Sequence, residues 1–282
     1  TQGAFKRWEM TSFGDERPSS LAARIQAEER AAEIAAAVGP EATIFEPGAG
    51  SSVKIRALLD ALDAPFAYHP IDISGEHLQS SVKSLARDYP NTAIVPVVGD
   101  FTRAYEIPLP REGAGKRVAY FPGSTIGNFE PAQATQLLAS FAAPLRSGDF
   151  ILLGWDRFKD GEVLVPAYDD ASGVTAAFIT NLLRRMQREL GAILDLEGFE
   201  LWTRWQPEHE RVRIGLRSLR EQTIEVCGRV FAFVPDEELF VEHSHKYRDE
   251  TMERIVSDAG ATVERTWTDP RGWFALSLLR VD

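Results

Sequence analysis

Cysteine is nearly absent: the 282-residue chain holds one, Cys227. An intrachain disulfide is therefore excluded, and so is a cysteine-rich metal centre. Cys227 falls in Thr223-Ile-Glu-Val-Cys-Gly228, a strand-like run in which it reads as a small core residue. Positive charge is in deficit. Lys and Arg total 31 against 42 Asp and Glu, a formal net charge of −11. Nucleic-acid backbones and anionic membranes recruit basic surfaces, so neither is an expected partner. No apolar run reaches membrane-spanning length and nothing reads as a signal peptide, which makes the cytoplasm the expected location. Three enzyme signatures are missing too. Gly48-Ala-Gly-Ser-Ser-Val53 lacks the third glycine of the dinucleotide fingerprint. No Gly-Lys-Ser/Thr phosphate loop occurs, and no Gly-x-Ser-x-Gly nucleophile elbow.

What is present is a regular alternation. Apolar runs at Thr43–Phe45, Phe66–Ile73, Ile94–Val98, Arg117–Phe121 and Phe150–Gly154 read as strands. Helical patterns separate them at Ser51–Leu62, His77–Tyr89 and Pro131–Leu145, and a further helix from Ser19 or Ser20 to Val38 precedes them. Strand and helix in turn imply an α/β fold with a parallel, Rossmann-like sheet built of right-handed crossovers. After Asp156 the pattern changes. A long helix, Ala171–Leu190, is followed by an expected antiparallel meander of Phe199–Trp205, Arg211–Leu219 and Gln222–Phe233. Met252–Ala259 and Gly272–Val281 then read as a helix and a strand that return to the sheet. The expected division is a core of 19–158 and 249–282 with an inserted α+β substrate-binding domain of 159–248, to which 1–18 is joined.

The chemistry clusters at the ends of the predicted strands. Ile44-Phe-Glu-Pro-Gly-Ala-Gly50 is a strand running into a glycine turn, flanked by Glu46 and Lys54. Glycine at Gly48 lets backbone approach a ligand closely. Asp72 ends the second strand, where a carboxylate can accept both hydroxyls of a ribose; its alternative role is a helix cap before Ser74. Gly99-Asp-Phe101 offers Asp100 to a base amino group and Phe101 to the base's face, or else forms a plain turn with a buried ring. Gly123-Ser-Thr-Ile-Gly-Asn-Phe129 places Gly123 near such a ligand and Asn128 at the mouth of the sheet. An Asn side chain both donates and accepts, which suits a zwitterion. This order of pieces fits S-adenosylmethionine better than a dinucleotide. In Glu242-His-Ser-His-Lys-Tyr247, alternation puts Glu242 and Ser244 on one side of an extended segment and His243 and His245 on the other. Two histidines without a third ligand do not make a metal site.

These stretches resemble the histidine-specific Nα-methyltransferases of ergothioneine biosynthesis. The likeness runs from about Ala31 to the C-terminus, and rests on Glu46–Lys54, Pro70–Ser74, Gly99–Phe101, Gly123–Phe129, Tyr168–Phe178 and Phe274–Leu279. It implies a class I methyltransferase sheet and a cofactor site of Gly48, Lys54, Asp72, Asp100, Phe101 and Gly123 for S-adenosylmethionine. It implies that Asn128 and Tyr168 hold the α-carboxylate and orient the amine of an amino acid, histidine first. It implies that Glu242 and Ser244 hold an imidazole, with Ile214 as a pocket wall. Other aromatic amino acids or biogenic amines are the alternative substrates, and a catalytically silent nucleoside-binding module is the alternative to an enzyme. One departure stands out: Arg17-Pro-Ser-Ser-Leu-Ala22 occupies the place of the family's Tyr-Tyr-x-Thr-Arg-x-Glu stretch, so one substrate-contacting tyrosine is expected to be missing.

Overall fold

The computed structural model describes residues 29–50, 53–103, 107 and 115–282. The start of the first predicted helix, the 1–18 segment and the Arg17–Ala22 departure lie outside the described residues. The rest divides into two units, one comprising the described residues up to Arg157 with Tyr247–Asp282, the other Phe158–Lys246.

The first unit is an α/β/α sandwich around an eight-stranded sheet. Its strands are β1 (Thr43–Pro47), β2 (Ala67–Asp72), β3 (Ala93–Ile94), β4 (Val97–Val98), β5 (Arg117–Phe121) and β6 (Phe150–Asp156), joined late in the chain by β12 (Ala261–Thr268) and β13 (Phe274–Val281). The order is β12-β13-β6-β5-β1-β2-β3, with β4 also paired to β2. β1, β2, β5 and β6 run parallel, whereas β13 enters antiparallel beside β6. Every residue of β1, β2 and β6 is buried, as a strand covered on both faces must be. One face packs Phe45, Ala119 and Ile151 against Leu137, Leu138 and Phe141 of the helix Pro131–Ala142 and Ile255 of the helix Asp249–Asp258. The other packs Ile44, Tyr68 and Leu152 against Ile34 of the helix 29–38, Leu58 of Val53–Ala61 and Leu85 of Gly75–Asp88. Pro131 begins its helix behind a reciprocal Glu130–Gln133 capping box.

Three sequence expectations need correction here. The predicted strand Ile94–Val98 is two short pieces, because Pro96 has no N–H to give the ladder. β12 was not foreseen: it is an edge strand with a mostly exposed pattern and a register shift between Val263 and Arg265, so no apolar alternation marks it. Phe150–Gly154 extends to Asp156.

The second unit holds two helices, Gly161–Tyr168 and Val174–Leu190, a three-stranded sheet and a hairpin. The sheet orders β7 (Phe199–Gln206), β8 (Arg211–Ser218) and β11 (Glu238–His245) as β11-β8-β7, all antiparallel. The expected meander is therefore wrong in its third strand. Gln222–Phe233 is not one strand but a hairpin, β9 (Gln222–Val226) and β10 (Arg229–Phe233), and β8 pairs instead with β11. Cys227 and Gly228 form the two-residue turn, with φ of 51° and 71°. Two successive positive φ values are what a type I′ hairpin requires. Cys227 is accordingly exposed at a hairpin tip, not a core residue. The short helix ending at Tyr168 was also not anticipated, since Pro166 interrupts its pattern. The long helix starts at Val174, three residues late, because the Asp170 carboxylate accepts from Val174 N and Thr175 N, both at 2.8 Å, and from Ser172 Oγ at 2.6 Å. Burial raises the Asp170 pKa, but those hydrogen bonds outweigh it and hold the carboxyl well below its usual range.

His69 lies within β2 and is 2% exposed. Burial lowers its pKa from 6.5, partly offset by the Val95 backbone. A histidine harder to protonate folded than unfolded leaves stability whole above pH 6.5 and withdraws it as pH falls toward the lowered folded value, where the loss levels off. His69→Val is therefore expected to flatten the fall of unfolding free energy below about pH 6.5. Denaturant titrations of both proteins across that range check it, and parallel curves would reject the assignment.

Candidate functional site

The carboxyl ends of β1, β2, β4 and β5 carry the first cluster. Leaving β1, the chain turns at Gly48 (φ 73°) and Gly50 (φ 50°), a region open to glycine at no steric cost. The end of β2 catches this turn twice. Ile71 O accepts from Gly48 N at 2.9 Å and Ala49 N at 3.0 Å, and Asp72 Oδ2 accepts from Gly50 N at 3.1 Å. Asp72 Oδ1 accepts from Ser74 N at 2.8 Å, beside the helix that Ser74 caps. Asp72 is thus one fully buried carboxylate that organises turn and helix entry together, the helix-entry role being the alternative that the sequence offered.

Phe101 faces the glycine turn. A Cβ placed on Gly48 would lie 3.1 Å from Phe101 Cε1, so a side chain there would push the ring aside, and the φ of 73° would strain it further. Phe101 also meets Phe121 edge-on, with centroids 5.8 Å apart. Asp100 is held half-exposed: its Oδ1 accepts from Thr102 N at 3.0 Å and Thr102 Oγ1 at 2.6 Å, and Arg103 Nε lies 3.4 Å from its Oδ2. Gly99 N donates to Asp72 O at 3.0 Å, which ties this loop to the end of β2. The Lys54 ammonium lies 3.5 Å from where a Gly123 Cβ would stand. Behind the turn, Glu46 is buried and accepts a hydrogen bond from the Tyr68 hydroxyl. Burial, and after it the Glu46 charge, pushes the phenols of Tyr68 and Tyr120 well up. Gly48, Phe101, Asp72, Asp100, Lys54 and Gly123 therefore share one sheet edge that offers a backbone cradle, two carboxylates, an aromatic face and a cation.

Asn128 ends a short 3-10 turn, Ser124–Asn128, in the same unit. Two groups that sequence reasoning missed fix that turn. Ser124 Oγ accepts from Asp156 N at 3.0 Å, and the buried Tyr247 hydroxyl donates to Ile126 O and Phe129 O, both at 3.1 Å. No local pattern signals this, since Tyr247 is more than a hundred residues away in sequence.

Tyr168, Ile214, Glu242 and Ser244 belong to the second unit. β11 has a register shift between Phe240 and Glu242. Phe240 opposes Gly215, but past the bulge Glu242 opposes Ile214 and Ser244 opposes Val212. Ile214 and Val212 point into the unit's core. The one-residue bulge thus turns Glu242 and Ser244 toward the core, where unbroken alternation with Phe240 would have sent them away. His243 and His245 take the other face, ring centroids 5.9 Å apart. The structure brings Tyr168 and Ser244 together, their hydroxyl oxygens 2.8 Å apart, and adds Lys246 to the pair. Among the described residues no group of three or more His, Cys, Asp or Glu could hold a metal ion, and no helix is long and apolar enough to cross a membrane.

Comparison with known proteins accords with this arrangement. A family model for SAM-dependent, histidine-specific methyltransferases matches residues 27–281. The histidine N-alpha-methyltransferase of Mycolicibacterium smegmatis is 41% identical over 255 residues, covering 88% of this chain and 78% of that protein. Among solved structures, the CcbJ methyltransferase from Streptomyces caelestis superposes with a TM-score of 0.53 at 14% identity, over 95% of this chain and all of that one. A Burkholderia thailandensis 1,6-didemethyltoxoflavin-N1-methyltransferase, solved with S-adenosylhomocysteine, gives 0.51 at 12% identity, over 100% of this chain and 89% of that one. Identities this low bear on the fold alone, which is that of Rossmann-type methyltransferases.

Tyr247→Phe removes the one phenol proton that the buried Ile126 carbonyl and the part-buried Phe129 carbonyl share. Denaturant titration is expected to show a loss of about 1–3 kcal/mol. A change inside about 0.5 kcal/mol would mean that the Asn128 turn does not depend on this phenol.

Proposed function

The chain belongs to the family of SAM-dependent, histidine-specific methyltransferases, and we propose that it transfers methyl groups from S-adenosylmethionine to the α-amino nitrogen of L-histidine, up to the trimethylated product. That it is an S-adenosylmethionine-dependent methyltransferase follows from the family; the substrate, the number of methyls and the residue roles are our reading. The observation that carries it is the convergence of the glycine turn, Asp72, Asp100 and Phe101 on one edge of the parallel sheet, where α/β folds hold nucleosides.

The residues present fit the cofactor. At Gly48 a side chain would crowd Phe101, and the Asp72 carboxylate at the end of β2 would take the ribose hydroxyls. Asp100 would take the base amino group, Phe101 its face, and Lys54 and Gly123 would border the amino-acid end. When bound, the cofactor supplies an already activated sulfonium methyl. What remains for the chain is alignment and a neutral amine. The α-amine of a free amino acid is mostly protonated at neutral pH, so the site must also let that proton leave. Asn128 would hold the α-carboxylate, and Tyr168, accepting an amine N–H, would aim the nitrogen lone pair; the ammonium would give up its proton to water before the N–C bond forms. Glu242 would accept the imidazole N–H while Ser244 meets the other ring nitrogen, with Ile214 as wall. The substrate is a small amino acid, and nothing in this chemistry calls for a metal. The deficit of positive charge argues against nucleic acid.

Mass spectrometry of products from a panel of amino acids and biogenic amines tests the substrate. Histidine is expected to gain methyls on its α-nitrogen; turnover of another amine with histidine untouched would overturn the reading. Asp100→Ala and Asp72→Ala should weaken S-adenosylhomocysteine binding by about 1.5–3 kcal/mol, the worth of a hydrogen bond to a charged group. Asp100→Ala is the cleaner variant, because Asp72 also holds the turn. Calorimetry giving wild-type affinity in both would defeat the cofactor assignment. Glu242→Ala should cost activity on histidine more than on phenylalanine or tryptophan, because a site built to hydrogen-bond a polar ring loses that selectivity with its acceptor. An equal fall on all three would remove Glu242 from ring recognition.

A further inference from the structure

Lys246 is 1% exposed, one of the most deeply buried large side chains in the chain. Its ammonium donates to Tyr168 Oη at 2.7 Å and Ser244 Oγ at 2.9 Å, and those two oxygens are 2.8 Å apart. The same nitrogen is 5.1 Å from the centroid of the Tyr168 ring, within range of a cation–π contact. The three polar atoms form a triangle of hydrogen bonds inside the second unit.

The proton count in this triangle is constrained. An ammonium has three protons and no lone pair, so it donates in both contacts. Each hydroxyl oxygen therefore accepts from Lys246, and neither hydroxyl can turn its own proton toward it. One hydroxyl proton fills the Tyr168–Ser244 edge. One is left over for a group outside the triangle. Either hydroxyl has the reach to donate along that edge, but a phenol is the stronger acid and the weaker acceptor of the two, so Tyr168 donates, Ser244 accepts twice and the Ser244 proton faces away from the triangle.

We infer that Lys246 is a positioning residue for substrate recognition, which fixes Ser244 as a hydrogen-bond donor to the ring nitrogen that carries a lone pair. The inference rests on the proposed histidine site. Glu242, turned to the same face of β11 by the bulge, is acceptor-only when ionised and takes the ring N–H. One enforced donor and one enforced acceptor match neutral imidazole, which has one lone-pair nitrogen and one N–H. They match no side chain lacking both. Lys246 itself needs no contact with substrate for this; it acts through Ser244 and Tyr168.

The test is Lys246→Met, which keeps the stem's bulk and removes the donors. The Tyr168 and Ser244 oxygens lose a donor, so denaturant titration is run beside the kinetics to confirm that the variant is folded. Steady-state kinetics should show KM for histidine raised at least about tenfold with kcat changed less, while calorimetry shows S-adenosylhomocysteine affinity within about twofold of wild type. In a Ser244→Ala background the same substitution should raise KM by less than about threefold, since the hydroxyl it orients is gone. A merely structural lysine would lower both proteins' activity by the same factor. Should Lys246→Met fail to fold, Lys246→Gln, an uncharged donor, is read in the same way with a smaller rise expected. Unchanged KM in whichever variant folds, or equal effects in the two backgrounds, overturns the role of Lys246. Failure of wild-type enzyme to methylate histidine would instead overturn the substrate assignment, so the two failures are distinct.

Discussion

The carboxylate of Asp72 is the knot at which the first unit is tied. It joins the turn leaving β1, through Gly50 N, to the helix entered after β2, through Ser74 N. The neighbouring Ile71 carbonyl takes two further N–H groups of the same turn, and the Asp72 carbonyl takes Gly99 N from the next loop. Three consecutive loops at one sheet edge are thus referred to the last two residues of β2. A fully buried carboxylate is costly unless it is hydrogen-bonded, and here backbone donors on two elements meet that demand. The positions of Phe101 over the turn and of Lys54 beside Gly123 are consequences of this tie, because each depends on a loop the tie has placed.

The second unit solves a different problem. A strand has two faces, and its polar residues ordinarily point away from its core. β11 has to deliver a carboxylate and a hydroxyl to the core side, and it does so with one extra residue, Val241, between Phe240 and Glu242. The polar groups so delivered need partners. Ser244 finds Tyr168 at the end of a helix kept short by Pro166, and Lys246 two residues further on the same strand path. A lone buried lysine would be expensive; a lysine donating to two hydroxyls and lying near an aromatic ring is not lone.

How much of this was legible beforehand follows from how local each cause is. The parallel sheet was readable because its strands are buried on both faces and so appear as unbroken apolar runs, β6 above all. The glycine turn, Asp72 and the Gly99–Phe101 loop were readable because glycine supplies the positive φ of a tight turn and an aspartate at a strand end accepts N–H groups from the loop that follows. The edge strand β12 was not, since exposure on the sheet's rim erases the pattern that marks a strand. Nor was the Cys227-Gly228 turn, in which a cysteine adopts a φ of 51° that Asn or Gly normally supplies. The bulge in β11 leaves no trace in residue type at all: Phe240-Val-Glu-His-Ser244 reads as plain alternation, and only pairing with β8 reveals the slip. Tyr247 and Lys246 were missed for the same reason, their partners being far away in sequence.

These two kinds of error have different weight for function. Errors at rims and turns moved boundaries but left the Gly48–Asp72–Phe101 edge untouched, because that edge is set by short-range chemistry within each β–loop–helix step. The facing of Glu242 and Ser244 is set by pairing between distant strands, where a single-residue slip reverses a face. Relatives that share the first unit's motifs can therefore be expected to agree on the methyl donor more readily than on the acceptor. In this chain the placement of Glu242, Ser244 and Tyr168 depends on one bulge, one helix end and one buried lysine, and a change in any of them would rearrange those side chains without disturbing a single residue of the glycine turn.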